Sequence, residues 1–292
     1  MHEPVLLNET IRILDPKPGE FFIDGTLGGG GHSKAILERV GAAGMLLGTD
    51  WDNDAVSRFE KENKSRGKRV LVRNANYRQI PDILKKEKLP HADGLLLDLG
   101  FSSDQIESAE KGFSFQYEGP LDMRYAKEGE TAAEVVNGLK EEELADIFWK
   151  FGDERFSRQI AKRIVEERRK KRILTTTRFA EVVASAFPAR FRNGKVNPAT
   201  KVFQALRIYV NREFENVESI LGNLNECVKS GGRVAVISFH SSEDRIVKKR
   251  FGELVKAGRA KSLTKKPIAP TREEIKRNPR SRSAKLRAIQ LT

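Results

Sequence analysis

Residues 24–33 read Asp24-Gly-Thr-Leu-Gly-Gly-Gly-Gly-His-Ser33, directly after the apolar run Phe21-Phe-Ile. Consecutive glycines let a backbone turn sharply and approach a ligand closely, beside the N–H groups that open a helix. A dinucleotide fingerprint needs glycine at i and i+2, then glycine or alanine at i+5. Gly28 and Gly30 meet the first two positions but Ser33 stands third, and the start at Gly29 and Gly31 ends on Lys34. The nicotinamide-dinucleotide fingerprint therefore fails. An acidic residue ahead of a denser glycine run suits a nucleoside ligand without a pyrophosphate. Asp50 ends the next apolar run, Met45-Leu-Leu-Gly-Thr-Asp50, where a carboxylate can accept hydrogen bonds from both hydroxyls of an adenosine ribose. The purely structural reading of Asp50, or of Asp52 beside it, is a helix N-cap. Tyr77, in Asn74-Ala-Asn-Tyr77, offers a ring either to an adenine or to the core. Taken in order, the glycine loop, Asp50 and Tyr77 point to S-adenosylmethionine.

A second group follows the fourth apolar run, in Asp98-Leu-Gly-Phe-Ser-Ser-Asp-Gln105. The exocyclic amine of a base is a poor nucleophile because its lone pair is delocalised into the ring. A site that methylates it must accept a hydrogen bond from the amine and align it. Asp98 and Ser102 are the candidate acceptors and Phe101 a candidate stacking surface. The other reading has Asp98 holding the methionine part of the cofactor while Ser102 and Ser103 cap a turn. In Ser238-Phe-His-Ser-Ser-Glu-Asp-Arg245, His240 is a candidate for proton handling, whereas Ser241 followed by Asp244 reads as an ordinary helix start. The other histidines lack a spacing that suggests a metal site, and the single cysteine, Cys227, excludes an internal disulfide and a cysteine-based cluster.

These residues need strands to place them. Continuous apolar runs at Phe21–Gly25, Met45–Asp50, Arg69–Arg73 and Gly94–Leu99 alternate with helical stretches at Ser33–Val40, Asn53–Lys64 and Ile80–Lys86. Runs apolar throughout and separated by helices predict a parallel sheet covered on both faces, in a doubly wound α/β fold whose ligands bind at the carboxyl ends of the strands. The alternation stops between Ile106 and Thr200. Thr131–Phe151 and Glu154–Lys171 read as helices, the second with Phe156, Ile160 and Ile164 on one face. Phe203, Leu206, Val210, Phe214, Val217 and Leu221 predict one long amphipathic helix, and Gly231–Phe239 a glycine turn into a buried strand. The expected organisation is a catalytic domain of residues 1–106 and 202–292 interrupted by a helical insert at 107–201. The tail, with Pro267, Pro270 and Pro279, is expected to be mostly irregular before a strand at Lys285–Leu291.

Of 292 residues, 38% are hydrophobic and 33% charged, which argues against global disorder. No stretch approaches the roughly 20 apolar residues of a membrane span. Glu3 and Glu9, with no basic segment, argue against a secretory signal, so a cytoplasmic location is expected. The net charge of +13 is carried entirely by Arg245–Thr292, which holds 16 basic and 3 acidic residues. A second basic stretch, Arg155–Lys195, holds 13 basic residues against three glutamates. Segregated positive charge is the footprint of a polyanion-binding face.

With these motifs in hand, the chain resembles the RsmH (MraW) family of 16S ribosomal RNA cytosine-N4 methyltransferases. The resemblance runs nearly end to end. It is carried by His2-Glu-Pro-Val-Leu-Leu, the 24–33 loop, Asp98-Leu-Gly-Phe-Ser-Ser, Gly119-Pro-Leu-Asp-Met-Arg124, Pro198-Ala-Thr, Phe203-Gln-Ala-Leu-Arg-Ile-Tyr-Val-Asn211, Ser238–Arg245 and Asn278-Pro-Arg-Ser-Arg-Ser-Ala-Lys-Leu-Arg287. It implies a class I (Rossmann-like) S-adenosylmethionine-dependent methyltransferase sheet with an inserted all-helical subdomain that recognises the RNA. It also implies methyl transfer to N4 of a decoding-centre cytidine in the 16S rRNA of the small ribosomal subunit, with neither metal nor membrane involved. Carried over by motif, the family's cofactor contacts fall on Gly30, Gly31, His32, Asp50, Tyr77, Asp98 and Gln105. Three positions depart from the family pattern. Tyr77 stands where phenylalanine is usual, Asn197 replaces a histidine, so no proton transfer is expected there, and Ser108 replaces an aspartate. The basic segments then acquire a use, with Arg280, Arg282, Lys285 and Arg287 as the expected phosphate contacts. A DNA cytosine-N4 methyltransferase is the nearest rival, which a dedicated DNA-recognition domain would mark. An rRNA-binding assembly factor without catalysis is the other.

Overall fold

The computed structural model describes residues 3–100, 109–126, 128–188 and 197–292. Ser102 and Gln105 of the expected site, together with Phe101 and Ser108, lie outside the described residues. The chain divides into two compact units, Met1–Ser102 with Phe214–Thr292, and Ser103–Glu213.

The first unit runs α1 (Leu7–Leu14), β1 (Phe21–Asp24), α2 (Gly31–Val40), β2 (Met45–Asp50), α3 (Asn53–Glu62), β3 (Val70–Asn74), α4 (Ile80–Glu87) and β4 (Ala92–Asp98). The second unit holds α5 (Ala132–Gly138), α6 (Glu141–Gly152), α7 (Ser157–Lys170), α8 (Thr176–Ala186) and α9 (Thr200–Val210). The chain then returns through α10 (Glu213–Gly222), β5 (Val228–Ser238), α11 (Ser241–Lys256), β6 (Ala260–Ser262), α12 (Arg272–Arg277) and β7 (Lys285–Leu291).

The seven strands form one sheet of order β3-β2-β1-β4-β5-β7-β6. The first five are parallel, and β7 lies antiparallel between β5 and β6. The expected doubly wound α/β sheet is thus present, with the order reversing between β1 and β4, the switch point where such sheets open a crevice. Alternation within the apolar runs feeds two cores. Phe21, Ile23, Leu47, Leu95, Leu97 and Val236 face α4, α10 and α11 through Ile80, Leu84, Ile220, Val247 and Phe251. Phe22, Leu46, Leu96, Ala235 and Ile237 face α1, α2 and α3 through Leu14, Ile36, Leu37, Val40 and Phe59. Each of the valine, leucine, isoleucine and phenylalanine side chains among them contributes about 1.5–3 kcal/mol when fully buried.

The second unit has its own core: Val135 and Val136 of α5, Leu144 and Phe148 of α6, Ile160 and Ile164 of α7, Phe179 and Val183 of α8, Phe203 and Leu206 of α9. Its described residues form helices and a single isolated bridge, Pro120 with Thr175. Two expected helices are divided. The 131–151 stretch breaks where Leu139 and Lys140 are extended, and the Lys140 N–H donates to Glu143 Oε2 at 2.7 Å to restart the helix. The single long helix expected over Phe203–Leu221 ends at Asn211. The Asn211 amide donates to the Met123 carbonyl (2.7 Å) and accepts the Tyr125 N–H (2.9 Å), and Arg212 turns left-handed at φ 51°. The tail is also more ordered than expected, since β6 and α12 both precede β7.

Candidate active site

Four of the expected residue groups meet at the carboxyl ends of β1, β2, β3 and β4. The loop between β1 and α2 is shaped by Gly28 and Gly30, with φ of 48° and 75°. Such angles strain any residue with a Cβ. A Cβ on Gly30 would also stand 2.5 Å from the ring of Phe59, so the loop is pressed against α3 as well as turned. Asp50, at the end of β2, accepts the Gly28 N–H (2.8 Å) on one carboxylate oxygen and the Asp52 N–H (2.8 Å) on the other. The N-cap itself is Asp52, which accepts the Asp54 N–H at 3.1 Å. Asp50 instead fixes the glycine loop against the second strand.

Tyr77 follows β3 on a short turn whose Asn76 and Gln79 form a capping box. A Cβ on Gly25 would approach Tyr77 Cβ to 3.0 Å, so the absence of a side chain at 25 lets that residue sit close to the loop.

Asp24 and Asp98 end the two strands flanking the switch point. Asp24 is 1% exposed. It accepts the Ser33 hydroxyl (2.6 Å) and the Thr26 N–H (3.1 Å). Thr26 Oγ1 in turn accepts the Asp98 N–H at 2.7 Å, tying the loop to β4. Burial pushes the Asp24 carboxyl up to about 7 against the pull of the Ser33 and Thr26 hydrogen bonds, with the Asp50 charge adding to the rise. Burial likewise pushes Asp98 up to about 7, aided by the charges of Asp24 and Glu243 and opposed by the Gly100 N–H. Among the described residues no lysine or arginine pairs with either carboxyl. The nearest basic group is His32 Nδ1, 3.8 Å from Asp98 Oδ2, too long for a hydrogen bond. His32 Nε2 lies 3.0 Å from the Val5 carbonyl, which only accepts, so that nitrogen carries a proton and Nδ1 is the one facing Asp98. This donor set suits a positively charged nucleoside. It has acceptors for hydroxyls and an ammonium, two carboxyls raised chiefly by burial, and a loop stripped of side chains.

Thr26 and Ser33 are the site residues that sequence reasoning passed over; their signal is a hydroxyl at each end of the glycine run, within reach of Asp24. His240 is the N-cap of α11. Its Nδ1 accepts the Glu243 N–H (3.3 Å), and Glu243 Oε2 accepts the Phe239 N–H (2.9 Å). The capping role expected of Ser241 with Asp244 is therefore filled one position earlier. Asp244 is engaged elsewhere: Arg287 holds both its oxygens, at 2.6 and 3.1 Å, and Lys285 reaches it at 3.4 Å. Of the four expected phosphate contacts, Arg280 and Arg282 are exposed, Lys285 is half-buried and Arg287 is largely buried in this pair. Asn197 accepts the Ala199 N–H at 2.8 Å at the start of α9. Cys227 is buried, which pushes its thiol up to about 12 and leaves it unreactive. Among the described residues no helix is long and apolar enough to cross a membrane.

The family described as the MraW methylase family matches residues 1–292. The chain is similar to a ribosomal RNA small subunit methyltransferase H of Syntrophus aciditrophicus, 45% identical over 305 residues and covering 99% of this chain and 97% of that one. It is similar to the protein of the same description in Rickettsia africae, 45% identical over 304 residues and covering 98% and 97%. Among solved structures, a putative rRNA-methylase from Clostridium thermocellum aligns over all of both chains at 10% identity with a TM-score of 0.43.

Proposed function

Because the chain belongs to the MraW methylase family, we propose that it methylates the rRNA of the small ribosomal subunit, using S-adenosylmethionine, at N4 of a decoding-centre cytidine. The observation that carries this reading is the glycine loop at the switch point, where Asp50 at the end of β2 accepts the Gly28 N–H and the carboxyls of Asp24 and Asp98 end the two flanking strands. A dinucleotide oxidoreductase is disfavoured by the same loop, which lacks the third fingerprint position.

In this reading Gly30 and Gly31 admit the nucleoside, Asp50 takes the ribose hydroxyls, and Tyr77 lies against the adenine. Asp98, His32 and Gln105 line the methionine end. When bound, S-adenosylmethionine supplies an electrophilic methyl group on a positively charged sulfur. The protein's task is then alignment. Asp98 or Ser102 accepts a hydrogen bond from the cytidine amine, holds its nitrogen in line, and water takes the proton late. Burial raises the Asp98 carboxyl to about 7 without ligand, and a bound cation would favour its carboxylate form. The basic tail, through Arg280 and Arg282, holds phosphates while the target base is turned out of its stack. The work is cytoplasmic, where the subunits are.

The test is transfer of a labelled methyl group to small subunits lacking the modification, with nuclease mapping of the product. One N4-methylcytidine in the decoding centre is expected. Transfer to DNA only, or tight cofactor binding with no transfer to any nucleic acid, would overturn the reading. An Asp98→Asn variant with normal turnover and cofactor affinity would remove Asp98 from both its roles.

A further inference from the structure

The segment Glu3–Leu6, ahead of α1, packs on the start of α2. Pro4 fills the space that a side chain at Gly31 would take, since a Cβ there would stand 2.7 Å from Pro4 Cγ. Val5 is buried and sets its carbonyl 3.0 Å from His32 Nε2. Leu6, also buried, then turns left-handed at φ 54° and ψ 34°. Such angles are unfavourable for a leucine, and a residue keeps them only where its surroundings over-determine them.

Those surroundings come from the other end of the chain. The Leu6 N–H donates to Glu274 Oε1 of α12 at 2.8 Å, away from solvent. Asn278 Nδ2 donates to the Glu3 carbonyl at 3.2 Å, and Arg277 Nε pairs with Glu3 Oε1 at 2.6 Å. The Arg277 pair is exposed and adds little. The other two partners are fixed. Glu274 is buried, and the hydroxyl of the buried Ser281 donates to the Asn278 carbonyl at 2.8 Å.

A neutral imidazole has two tautomers, and the hydrogen bond at one nitrogen decides the state of the other. The Val5 carbonyl only accepts, so it keeps the proton on Nε2 and leaves Nδ1 an acceptor on the side of Asp98, 3.8 Å away. An acceptor there suits an ammonium. The other tautomer would set an N–H donor against it. The hydrogen bonds that start on α12 therefore end on a ring nitrogen of the candidate site.

Resting on the reading that His32 and Asp98 line the methionine end, we propose that Glu274 and Asn278 are positioning residues for that end. Through the clamped segment Glu3–Leu6 they hold the Val5 carbonyl on His32 Nε2, so that Nδ1 is kept as an acceptor for the cofactor's ammonium. Neither residue touches the cofactor; both act through the backbone of this segment.

The experiment compares, by calorimetry on the full chain, binding of S-adenosylmethionine with binding of 5′-methylthioadenosine, which keeps the nucleoside and lacks the amino-acid part. Glu274→Ala is expected to weaken S-adenosylmethionine about tenfold, the worth of one hydrogen bond to a charged group, and to leave methylthioadenosine unchanged. Glu274→Gln should restore the affinity, because its amide oxygen accepts the same Leu6 N–H. Asn278→Ala, which removes the weaker hold on Glu3, should show the same selectivity at about threefold and serves if Glu274→Ala does not fold. Nitrogen NMR of His32 should show the proton on Nε2 in the wild type and a mixture of tautomers in Glu274→Ala. An equal loss for both ligands would make the clamp a support for the whole loop and overturn the proposal. So would a wild-type His32 protonated on Nδ1 alone. Unchanged affinities in the alanine variants of a wild type that prefers S-adenosylmethionine would overturn the clamp and leave the methionine end standing. A wild type that binds both ligands equally would defeat the reading of the methionine end and the clamp together.

Discussion

Arg287→Gln separates a structural arginine from an RNA-binding one. Arg287 lies on β7 opposite Val236 of β5 and grips both oxygens of Asp244, at 2.6 and 3.1 Å, in the first turn of α11. The two side chains are 13% and 12% exposed. Removing one member of a fully buried pair costs about 3–5 kcal/mol, because the other charge is stranded. Here Lys285 remains 3.4 Å from Asp244 and is 40% exposed, and the carboxylate keeps the helix N-terminus, so the lower range of about 2–3 kcal/mol applies. For a unit of this size that is a fall in melting temperature of about 5–10 °C. Burial alone would raise the Asp244 carboxyl, but the hydrogen bond and charge of Arg287, with Lys285, outweigh it and hold the group below the usual range. The stabilisation is therefore present above the unfolded value of about 3.9 and is lost as pH falls through the lower folded one. The gap between Arg287→Gln and wild type should narrow below about pH 3.9. Thermal unfolding followed by circular dichroism reads the stability, and a salt series of RNA binding reads the other role. Arg287→Gln should melt early with its salt slope intact, whereas Arg282→Gln should melt normally and lose about 0.7 of slope. An Arg287→Gln protein melting within about 1 °C of wild type would refute the reasoning.

The pair Asp24 and Asp98, both raised to about 7, bind protons more tightly folded than unfolded. Stability without ligand should therefore fall from about pH 4 to pH 7, by at most about 4 kcal/mol per group. Stabilisation by S-adenosylmethionine should grow over the same interval, and a calorimetric melting shift equal at pH 5 and pH 8 would contradict it. Gly30→Ala should cost about 2–4 kcal/mol through its φ of 75° and the clash with Phe59, while Gly28→Ala, facing open space, should cost about 1 kcal/mol. Equal denaturation midpoints for the two variants would show that the Phe59 contact does not constrain the loop.

Where the sequence led correctly, local chemistry and tertiary packing agree. The runs at Phe21, Met45 and Gly94 are apolar on both faces because both faces are covered, and the glycine loop lies where strand order makes a crevice. The misreadings share a cause: a residue's local preference was overruled by a partner distant in sequence. Asn211 stops a helix that its apolar pattern would continue, because its amide is needed by Met123 and Tyr125. Arg287 looks like one more charge in a basic tail until Asp244, 43 residues earlier, closes on it. Helix α1, with Glu274 Oε1 accepting the Leu6 N–H at 2.8 Å, is anchored across 268 residues, which no periodicity could announce.

The position of β7 bears on how the protein is made. Strands β1 to β5 can pair as they leave the ribosome, but β5 then presents an open edge lined by Val234, Ala235, Val236 and Ile237, whose outer partners, Ile289 to Leu286, are synthesised some fifty residues later. At about 5–20 residues per second that edge is unpaired for a few seconds in every nascent chain. An apolar strand edge is a template for pairing with other chains. Synthesis at high density should therefore favour aggregation through β5, in a window that closes when β7 arrives.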